Sequence, residues 1–345
     1  MNQRHLSPRI ALICLVTLLG GSTVVHGQLL PLTSTGSLGA WSFPAGYTYK
    51  LNTDNLTIDR CAGPVCSWET WNGSTWVPAS SGVPVARVVT QTGGPEIAVF
   101  DFTTLNLPAG VTLTVEGARA GAIAATGDVT IAGTLVVTAT GGAGGIAPSP
   151  VDGTGGVPAQ GPGAGGPGQG PGRMILSNTP SYGLWPLYGP GGGGSGAAGN
   201  GLPGSESNRI LDVYGGTWQI AGGVAGSAYI TGGSLPLRGG SGGGSGGGFR
   251  GTDPYPDVPG GTGGNGGGAL LMDTAGSLVI SGKVTADGSV GTPQDYGWGG
   301  GGGGGGGGYL AFQVDGILVV EGGGRVSAEG GVGGSGTCQA EPSYG

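Results

Sequence analysis

The chain has 345 residues, of which 88 are glycine and 24 are proline, and its formal net charge is −7. Glycine and proline make up about a third of the chain, a level at which disorder is the default expectation. However, only 9% of residues are charged and the mean hydropathy is +0.12, which excludes a highly charged disordered chain. The shortage of basic residues also excludes a nucleic-acid-binding protein. Because glycine and β-branched residues disfavour helix, we expect an ordered all-β core with long glycine-rich loops.

Residues 1–27 have the features of a secretory signal peptide. Arg4 and Arg9 give a basic start, residues 10–19 (IALICLVTLL) form an apolar run, and Val25 and Gly27 are small residues at the −3 and −1 positions before Gln28. A run of ten residues is too short to span a bilayer, and no later stretch approaches the required length of about 20. We therefore predict an exported protein, secreted or at the cell surface, with no transmembrane span after removal of the signal. Removal of the two arginines leaves 10 basic and 19 acidic residues.

Residues 28–95 differ in composition from the rest of the chain and predict a small Trp-rich β module or cap. This region holds four of the seven tryptophans, and Asn72-Gly73 between two of them predicts a hairpin turn. The four are Trp41, Trp68, Trp71 and Trp76. Cys61 and Cys66 lie five residues apart around Gly63-Pro64, a spacing that predicts a small disulfide loop in an exported protein.

Residues 96–335 predict the main β domain, and residues 336–345 a C-terminal tail. Residues 97–102 are strand-like, residues 107–110 predict a turn, and apolar residues then alternate with polar ones up to 139. Each run is only five to seven residues long. Glycines such as Gly127 and Gly133 between the runs permit sharp corners.

One short motif recurs in this domain and predicts a repeated strand. It has the form glycine, any residue, large apolar, any, Ile or Val, any, glycine, and its copies begin at 127, 216, 276 and 316. The third and fourth copies are followed by 283–288 and 325–330, which share the order basic, Val, hydroxyl, Ala, acid, Gly. Strands that keep their form while the loops vary predict a β-helix, or solenoid, whose matching positions lie above one another.

The glycine runs are the second unusual feature. Residues 299–308 are ten consecutive glycines, which predict either a mobile loop or closely packed polyproline II segments, and we expect order near the β core with mobility at the tips. Matches to nucleotide-binding glycine patterns arise here from composition alone. No GK[ST] sequence follows a glycine loop, and the calcium-binding GGxGxD repeat is absent.

The segments PAGVTLTV (108–115) and ATGDVTIAG (125–133), followed by long glycine runs, resemble a loose group of exported bacterial glycine-rich proteins. The stretch GGGALLMDTAGSLVISGKVTADG (266–288) is similar to the later repeats of that group. The resemblance covers about residues 97–335 and leaves the Trp-rich region outside. It implies a right-handed parallel β-helix at the cell surface or outside the cell, with no catalytic residues to transfer.

The chain offers little for catalysis. Both histidines, His5 and His26, precede the predicted cleavage site, which excludes His-dependent nucleophilic catalysis and imidazole metal sites in the mature chain. Cys338 is free, in an intermolecular bridge, or a sign of a chain cut short. Five carboxylates lie near predicted corners: Asp128, Asp273, Asp315, Asp287 and Glu329. Of these, only Asp287 and Glu329 occupy the same position in their repeats.

Aromatic residues in the glycine loops are the candidate binding residues. Tyr182, Trp185, Tyr188 and Trp298 could stack on sugar rings, or they could pin the loops to the β core. We predict a non-enzymatic structural or adhesive protein without a cofactor, whose partners are cell-envelope or extracellular-matrix components or polysaccharide. A polysaccharide-active β-helix enzyme and a glycan- or partner-binding module remain the alternatives. An enzyme would bring Asp128, Asp273 and Asp315 together beside an arginine.

Overall fold

The computed structural model is all-β. It describes residues 32–62, 68–146, 202–203, 207–210, 217–220, 223–227, 236–247, 259–293 and 300–335. The strands in chain order are β1 (Ala40–Ser42), β2 (Tyr47–Asn52), β3 (Thr57–Ala62), β4 (Glu69–Trp71), β5 (Trp76–Pro78), β6 (Arg87–Val89), β7 (Ile97–Phe102), β8 (Thr104–Leu107), β9 (Thr112–Glu116), β10 (Ala120–Ala125), β11 (Val129–Ile131), β12 (Thr134–Val137), β13 (Ser207–Ile210), β14 (Thr217–Ile220), β15 (Ala269–Thr274), β16 (Leu278–Ile280), β17 (Lys283–Thr285), β18 (Tyr309–Val314), β19 (Leu318–Val320) and β20 (Arg325–Ser327). The one helix in these ranges is the 3-10 turn Ala79–Ser81, so they hold no helix long and apolar enough to cross a membrane.

Three sheets contain all of these strands except β13 and β14. Sheet one has the order β18-β15-β10-β7-β6, and sheet two has the order β1-β8-β11-β16-β19. Sheet three has the order β20-β17-β12-β9-β2-β3-β4-β5. Sheet two is parallel throughout, whereas sheets one and three are mixed, because β6 and β3 to β5 pair antiparallel with their neighbours.

Successive strands visit the three sheets in a fixed order. β7, β8 and β9 enter sheets one, two and three in turn, and we call such a set of three strands a tier. The second tier is β10 to β12, the third is β15 to β17 and the fourth is β18 to β20. Each strand pairs in parallel with its equivalent in the next tier.

One hydrophobic core lies among the inner faces of the three sheets. Alternate residues of each strand face it, since successive side chains of a strand point to opposite faces. In the second tier these residues include Ile123 of sheet one, Val129 of sheet two and Leu135 of sheet three, all buried. Short strands with strict apolar alternation therefore supply the core, one row from each sheet.

Sheet one is buried on both faces. Every residue of β7, β10 and β15 is buried, including the alternate residues that point away from the shared core. A second hydrophobic cluster covers this outer face, with Val99, Leu271 and Tyr309 from the sheet and Leu237 from outside it. This burial explains why sheet one has nearly continuous apolar sequence, whereas sheets two and three alternate.

Three predicted copies of the glycine-flanked motif lie side by side in sheet two. Val129 of the first pairs with Leu278 of the next, and Leu278 pairs with Leu318 of the last. The matching sequences after the last two copies are also in register, with Lys283 beside Arg325. The predicted stacking of these copies is confirmed.

The copy at 216–222 was predicted to join the same stack, and this prediction was wrong. Its strand β14 pairs antiparallel with β13 in a separate two-stranded sheet. The neighbour of β11 is instead β8, whose Leu105 and Leu107 lie beside Val129 and Ile131. Alternation specifies a strand but not its partner, and β8 lacks the flanking glycines that defined the motif.

The Trp-rich region contributes strands to the main sheets. β1 pairs in parallel with β8, and β2 pairs in parallel with β9, while β3 to β5 extend sheet three as antiparallel strands. The predicted hairpin at Asn72-Gly73 is confirmed: Trp71 pairs with Trp76, and Asn72 donates its backbone N–H to the Thr75 carbonyl oxygen. The positive φ of Gly73, 97°, explains the glycine in this turn.

Candidate functional site in the glycine bundle

Six glycine-rich segments pack together beside the sheets, and we call them the glycine bundle. They are segment one (141–146), segment two (239–247), segment three (259–268), segment four (286–293), segment five (300–308) and segment six (328–335). Segments three and five run directly into β15 and β18, and segments four and six directly follow β17 and β20. The bundle is therefore built by the chain as it enters sheet one and leaves sheet three.

Segments two, three and five form a closed ring of backbone hydrogen bonds. Segment two donates N–H groups to carbonyl oxygens of segment three at 2.7 to 2.8 Å: Gly240 to Gly267, Gly243 to Gly264 and Gly246 to Gly261. Segment three donates to segment five at 2.8 to 2.9 Å: Gly261 to Gly300, Gly264 to Gly303 and Gly267 to Gly306. Segment five donates back to segment two at 2.8 to 2.9 Å: Gly300 to Gly247, Gly303 to Gly244 and Gly306 to Ser241. Every third residue points the same way, which is the three-residue turn of a polyproline II helix.

The other three segments extend this ring into two rows. Segment one bonds to segments two and three, segment four bonds to segments three and five, and segment six bonds to segments four and five. One row therefore holds segments two, five and six, and the other holds segments one, three and four. Packed polyproline II segments, one of the two alternatives for the glycine runs, describe these residues.

The packing explains why glycine is required in the bundle. A Cβ atom on Gly144, Gly266 or Gly304 would overlap a backbone carbonyl oxygen of a neighbouring segment. These glycines are not among those with positive φ, so the requirement is space and not an unusual backbone angle. Segment five bonds to four other segments, is buried over 300–307, and consists of glycine alone.

On one exposed face of segments three and four, a polar side chain recurs at every third residue. Thr262 and Asn265 of segment three and Ser289 and Thr292 of segment four are all exposed. The Thr262 N–H donates to Thr292 Oγ1 at 2.7 Å, and the Asn265 N–H donates to Ser289 Oγ at 2.7 Å. We call these four residues the polar face. The spacing of three between Thr262 and Asn265 in the sequence GGTGGN (260–265) is the signal that sequence reasoning missed.

The polar face also reaches segment one. The Oδ1 atom of Asn265 accepts a hydrogen bond of 2.8 Å from the N–H of Gly144, and Ala143 and Ile146 of the same segment are exposed. These neighbouring segments are straight and run antiparallel, so their small side chains make a flat surface. Along each segment the side chains repeat about every 9 Å. Hydroxyl and amide groups at this spacing can form hydrogen bonds with a ligand. None of the four residues titrates, so they cannot perform acid–base chemistry.

Two of the five candidate carboxylates, Asp128 and Asp287, accept hydrogen bonds from the next tier. Asp128 Oδ1 accepts a hydrogen bond of 2.8 Å from the N–H of Ser277 in the third tier. Asp287 Oδ1 accepts one of 2.7 Å from the N–H of Glu329, and its Oδ2 accepts one of 2.8 Å from Ser327 Oγ. Both side chains hold consecutive tiers together, a structural role.

Asp128, Asp273 and Asp315 differ in their places along the tiers. Asp273 lies within β15, paired with Ala124 on one side and Gln313 on the other. Asp128 follows the end of β10, and Asp315 follows the end of β18. The three carboxylates therefore occupy different register positions.

Half-buried aromatic residues cover the core at the β1 to β5 end of the sheets. The Trp41 ring lies 5.5 Å from Trp71 and 6.1 Å from Trp76, and all three pack against the core. The Arg60 guanidinium lies 4.3 Å from the centre of the Trp76 ring, and Lys50 Nζ lies 4.0 Å from that of Trp68. Cations of the chain itself thus occupy these ring faces.

Two tyrosines have shifted pKa values, and both belong to the cores. Burial raises the pKa of Tyr49 to about 12, and its hydroxyl donates a hydrogen bond of 3.0 Å to the Pro44 carbonyl oxygen. Burial also raises the pKa of Tyr309, on the outer face of sheet one. Both shifts favour the neutral phenol inside the protein and do not mark a reactive group.

The aromatic residues predicted to bind a partner, Tyr182, Trp185, Tyr188 and Trp298, lie outside the described residues, as does Cys66. Cys61, on β3, is disulfide-bonded and buried. Within the described ranges, no group of three or more His, Cys, Asp or Glu residues could hold a metal ion.

Comparisons of the chain with protein families, with curated proteins and with solved structures find no match.

Proposed function

We propose that the chain is an exported, non-enzymatic structural protein of the cell surface or extracellular matrix, which adheres to polysaccharide through the polar face of the glycine bundle. Its core is a right-handed parallel β-helix. The fixed order in which the chain visits the three sheets supports this fold, and parallel crossovers are right-handed in nearly all proteins.

The observation that carries the proposal is the bundle itself. Many glycines leave no room for a Cβ, and the side chains that remain at 262, 265, 289 and 292 are small, polar and exposed. A mobile linker needs no such packing. A rigid, flat face with hydroxyl and amide groups suits the flat, hydroxyl-rich surface of an insoluble polysaccharide.

Two further observations support export and a role without catalysis. The disulfide bond at Cys61 fits an oxidising compartment, as the predicted signal peptide does. The carboxylates Asp128 and Asp287 bond to the backbone of the next tier, where a glycosidase would need paired carboxylates facing a substrate.

Binding to insoluble polysaccharide particles, such as cellulose, chitin and peptidoglycan, tests the proposal. The exported chain is expected to sediment with at least one of them and to release no soluble sugar. Thr262→Lys places a long charged side chain on the polar face and is expected to reduce binding at least tenfold. Thr104→Lys, at an exposed threonine of β8, is the matched control and is expected to bind normally.

The outcomes separate the three functions. Release of reducing sugar would replace the proposal with the polysaccharide-active enzyme. Binding that survives Thr262→Lys but is lost in Trp185→Ala would favour a module that uses aromatic residues of the glycine loops. Absence of binding to every particle tested would refute the adhesive role.

A further inference from the structure

Two glycines of segment six lack the steric reason that explains the glycines inside the bundle. Gly330 and Gly333 lie three residues apart and are exposed. A Cβ atom on either would have its nearest neighbour at 3.5 Å, the carbonyl oxygen of Gly305 or Gly302, which is ordinary contact. By contrast, a Cβ on Gly331 or Gly334 of the same segment would overlap the carbonyl oxygen of Ser289 or Thr292. The structured chain does not itself require Gly330 and Gly333.

Segment six belongs to the fourth tier, which ends the stack in the described residues. β18, β19 and β20 are the last strands of sheet one, the parallel sheet two and sheet three. Apolar side chains are exposed on this tier: Val319 by 36%, Val320 by 50% and Ile317 by 67%. Ile131, the residue of the second tier that is equivalent to Val320, is fully buried. We call this surface, with segment six, the fourth-tier end.

The two ends of the stack differ. At the β1 to β5 end, antiparallel strands extend sheets one and three, and the tryptophan cluster packs on the core. The fourth-tier end instead combines open strand edges with exposed apolar residues. Open edges of this kind are templates for pairing with another strand.

We propose that the fourth-tier end binds the same end of a second copy of this chain about a two-fold axis. Glycines at a spacing of three accommodate the backbone of another polyproline II segment, and segment six of a second copy presents that backbone with the same glycines. The segments extend away from sheets one and three, so a two-fold axis that brings two bundles together runs along them and places the two copies of segment six side by side and parallel. Segments four and six already pack parallel in this chain: Gly288 donates to the carbonyl oxygen of Glu329, and Gly291 donates to that of Val332.

The same axis pairs the strand edges. For the two bundles to meet, the two-fold axis must pass beside the bundle and through sheet two. Sheet one of one copy then faces sheet three of the other, and sheet two faces sheet two. β19 then faces β19 of the second copy, with Val319 at the centre, while β20 faces β18. This arrangement brings the Arg325 end of β20, where the guanidinium lies 3.1 Å from Glu329 Oε1 of its own chain, near the Asp315 end of β18 on the other copy. A self-complementary surface is the requirement of a two-fold dimer.

Sedimentation of the exported full chain over the micromolar range tests the proposal. The expected mass is twice that of one chain. In the double variant Gly330→Val/Gly333→Val the new Cβ atoms make only ordinary contacts within the chain, while the valine side chains block the approach of a second segment. This variant is expected to sediment as a monomer with unchanged circular dichroism. Ala143→Val, at an exposed alanine of segment one, is the matched control and is expected to stay dimeric.

Two further variants keep the proposal testable if the glycine variants fold poorly. Val320→Lys is expected to give a monomer, and Val83→Lys, at a valine with a similar exposed fraction of 46%, is expected to remain a dimer. Val319→Cys is expected to form a covalent dimer under oxidation, above the background that Cys338 gives in the unmodified chain. A monomeric unmodified chain, or a dimer that is insensitive to Gly330→Val/Gly333→Val and Val320→Lys, would overturn the proposal. Polysaccharide binding is measured separately and does not depend on this result.

Discussion

Asp128 and Ser277 are 149 residues apart in sequence, and the backbone N–H of Ser277 donates a hydrogen bond of 2.8 Å to Asp128 Oδ1. The bond joins the second tier to the third at the corner between sheets one and two. Asp287 makes the equivalent connection to Glu329 between the third and fourth tiers. Acidic residues that look like candidates for catalysis in the sequence are thus links between neighbouring tiers.

Removal of the Asp128 carboxylate is expected to weaken this link. Asp128→Ala leaves the Ser277 N–H without its acceptor, and we expect the free energy of unfolding to fall by about 1 kcal/mol. Asp128→Asn keeps an oxygen acceptor at the same place and should recover most of the loss. Urea unfolding measures both variants. An equal loss in the two would mean that charge, and not the hydrogen bond, is the important property.

A methyl group inside the glycine bundle is expected to be far more harmful than one outside it. In Gly304→Ala the new Cβ meets the carbonyl oxygen of Gly331, which is backbone and cannot rotate away. We expect a loss of about 3 kcal/mol, the upper range for overpacking. Gly322→Ala, where no atom lies within 4 Å of the new Cβ, is the control and should change stability by less than about 1 kcal/mol. Thermal unfolding compares them, and similar melting temperatures would show that the bundle is not closely packed.

Thr140 is expected to be a site where glycine stabilises the protein. Its φ is +67°, a region that costs an L-residue about 1–2 kcal/mol, and its buried Oγ1 has no hydrogen-bond partner in the described part of the chain. Thr140→Gly should therefore raise the melting temperature, by the equivalent of up to about 1 kcal/mol after the loss of side-chain packing. Thr138→Gly, at an ordinary φ in the same loop, should lower it. A lower melting temperature in Thr140→Gly would contradict the strained backbone.

Stability is expected to fall at alkaline pH because of Tyr49 and Tyr309. Burial raises the pKa of Tyr49 from 10.0 to about 12 and raises that of Tyr309. Above pH 10 the unfolded chain loses these protons while the folded chain keeps them, so stability is full below pH 10 and is lost as pH rises toward 12. Tyr49→Phe should flatten this part of the curve, at some loss at neutral pH because the bond to Pro44 is absent. Urea unfolding at several pH values measures the slope, and an unchanged slope would exclude Tyr49 as its source.

The strands of the tiers could be predicted from sequence because their signal is local. Val129 and Ile131 alternate with polar residues between glycines, and the copies at 276 and 316 repeat that pattern, so their stacking followed. The copy at 216 has the same local pattern but a different partner, β13, which alternation cannot specify. β8 belongs to the same sheet without the flanking glycines, and only its pairing with β11 reveals this.

The polar face was not predictable from the same argument. Thr262 and Asn265 lie in a glycine run without strand-like alternation, and Ser289 and Thr292 follow a β-strand in another part of the chain. The hydrogen bonds that join them cross 24 to 30 residues. A period of three in GGTGGN predicts a polyproline II segment, but the segments that flank it depend on the whole stack.

The sequence by itself determined the class of the protein: an all-β chain with short alternating strands and glycine at their corners, because side-chain periodicity and glycine's freedom act locally. Only the tertiary structure decided what the glycine runs are for. A residue such as Gly304 must be glycine because the carbonyl oxygen of Gly331, on a segment that returns after a complete tier, occupies the place of its Cβ. That contact exists only after the tiers have stacked.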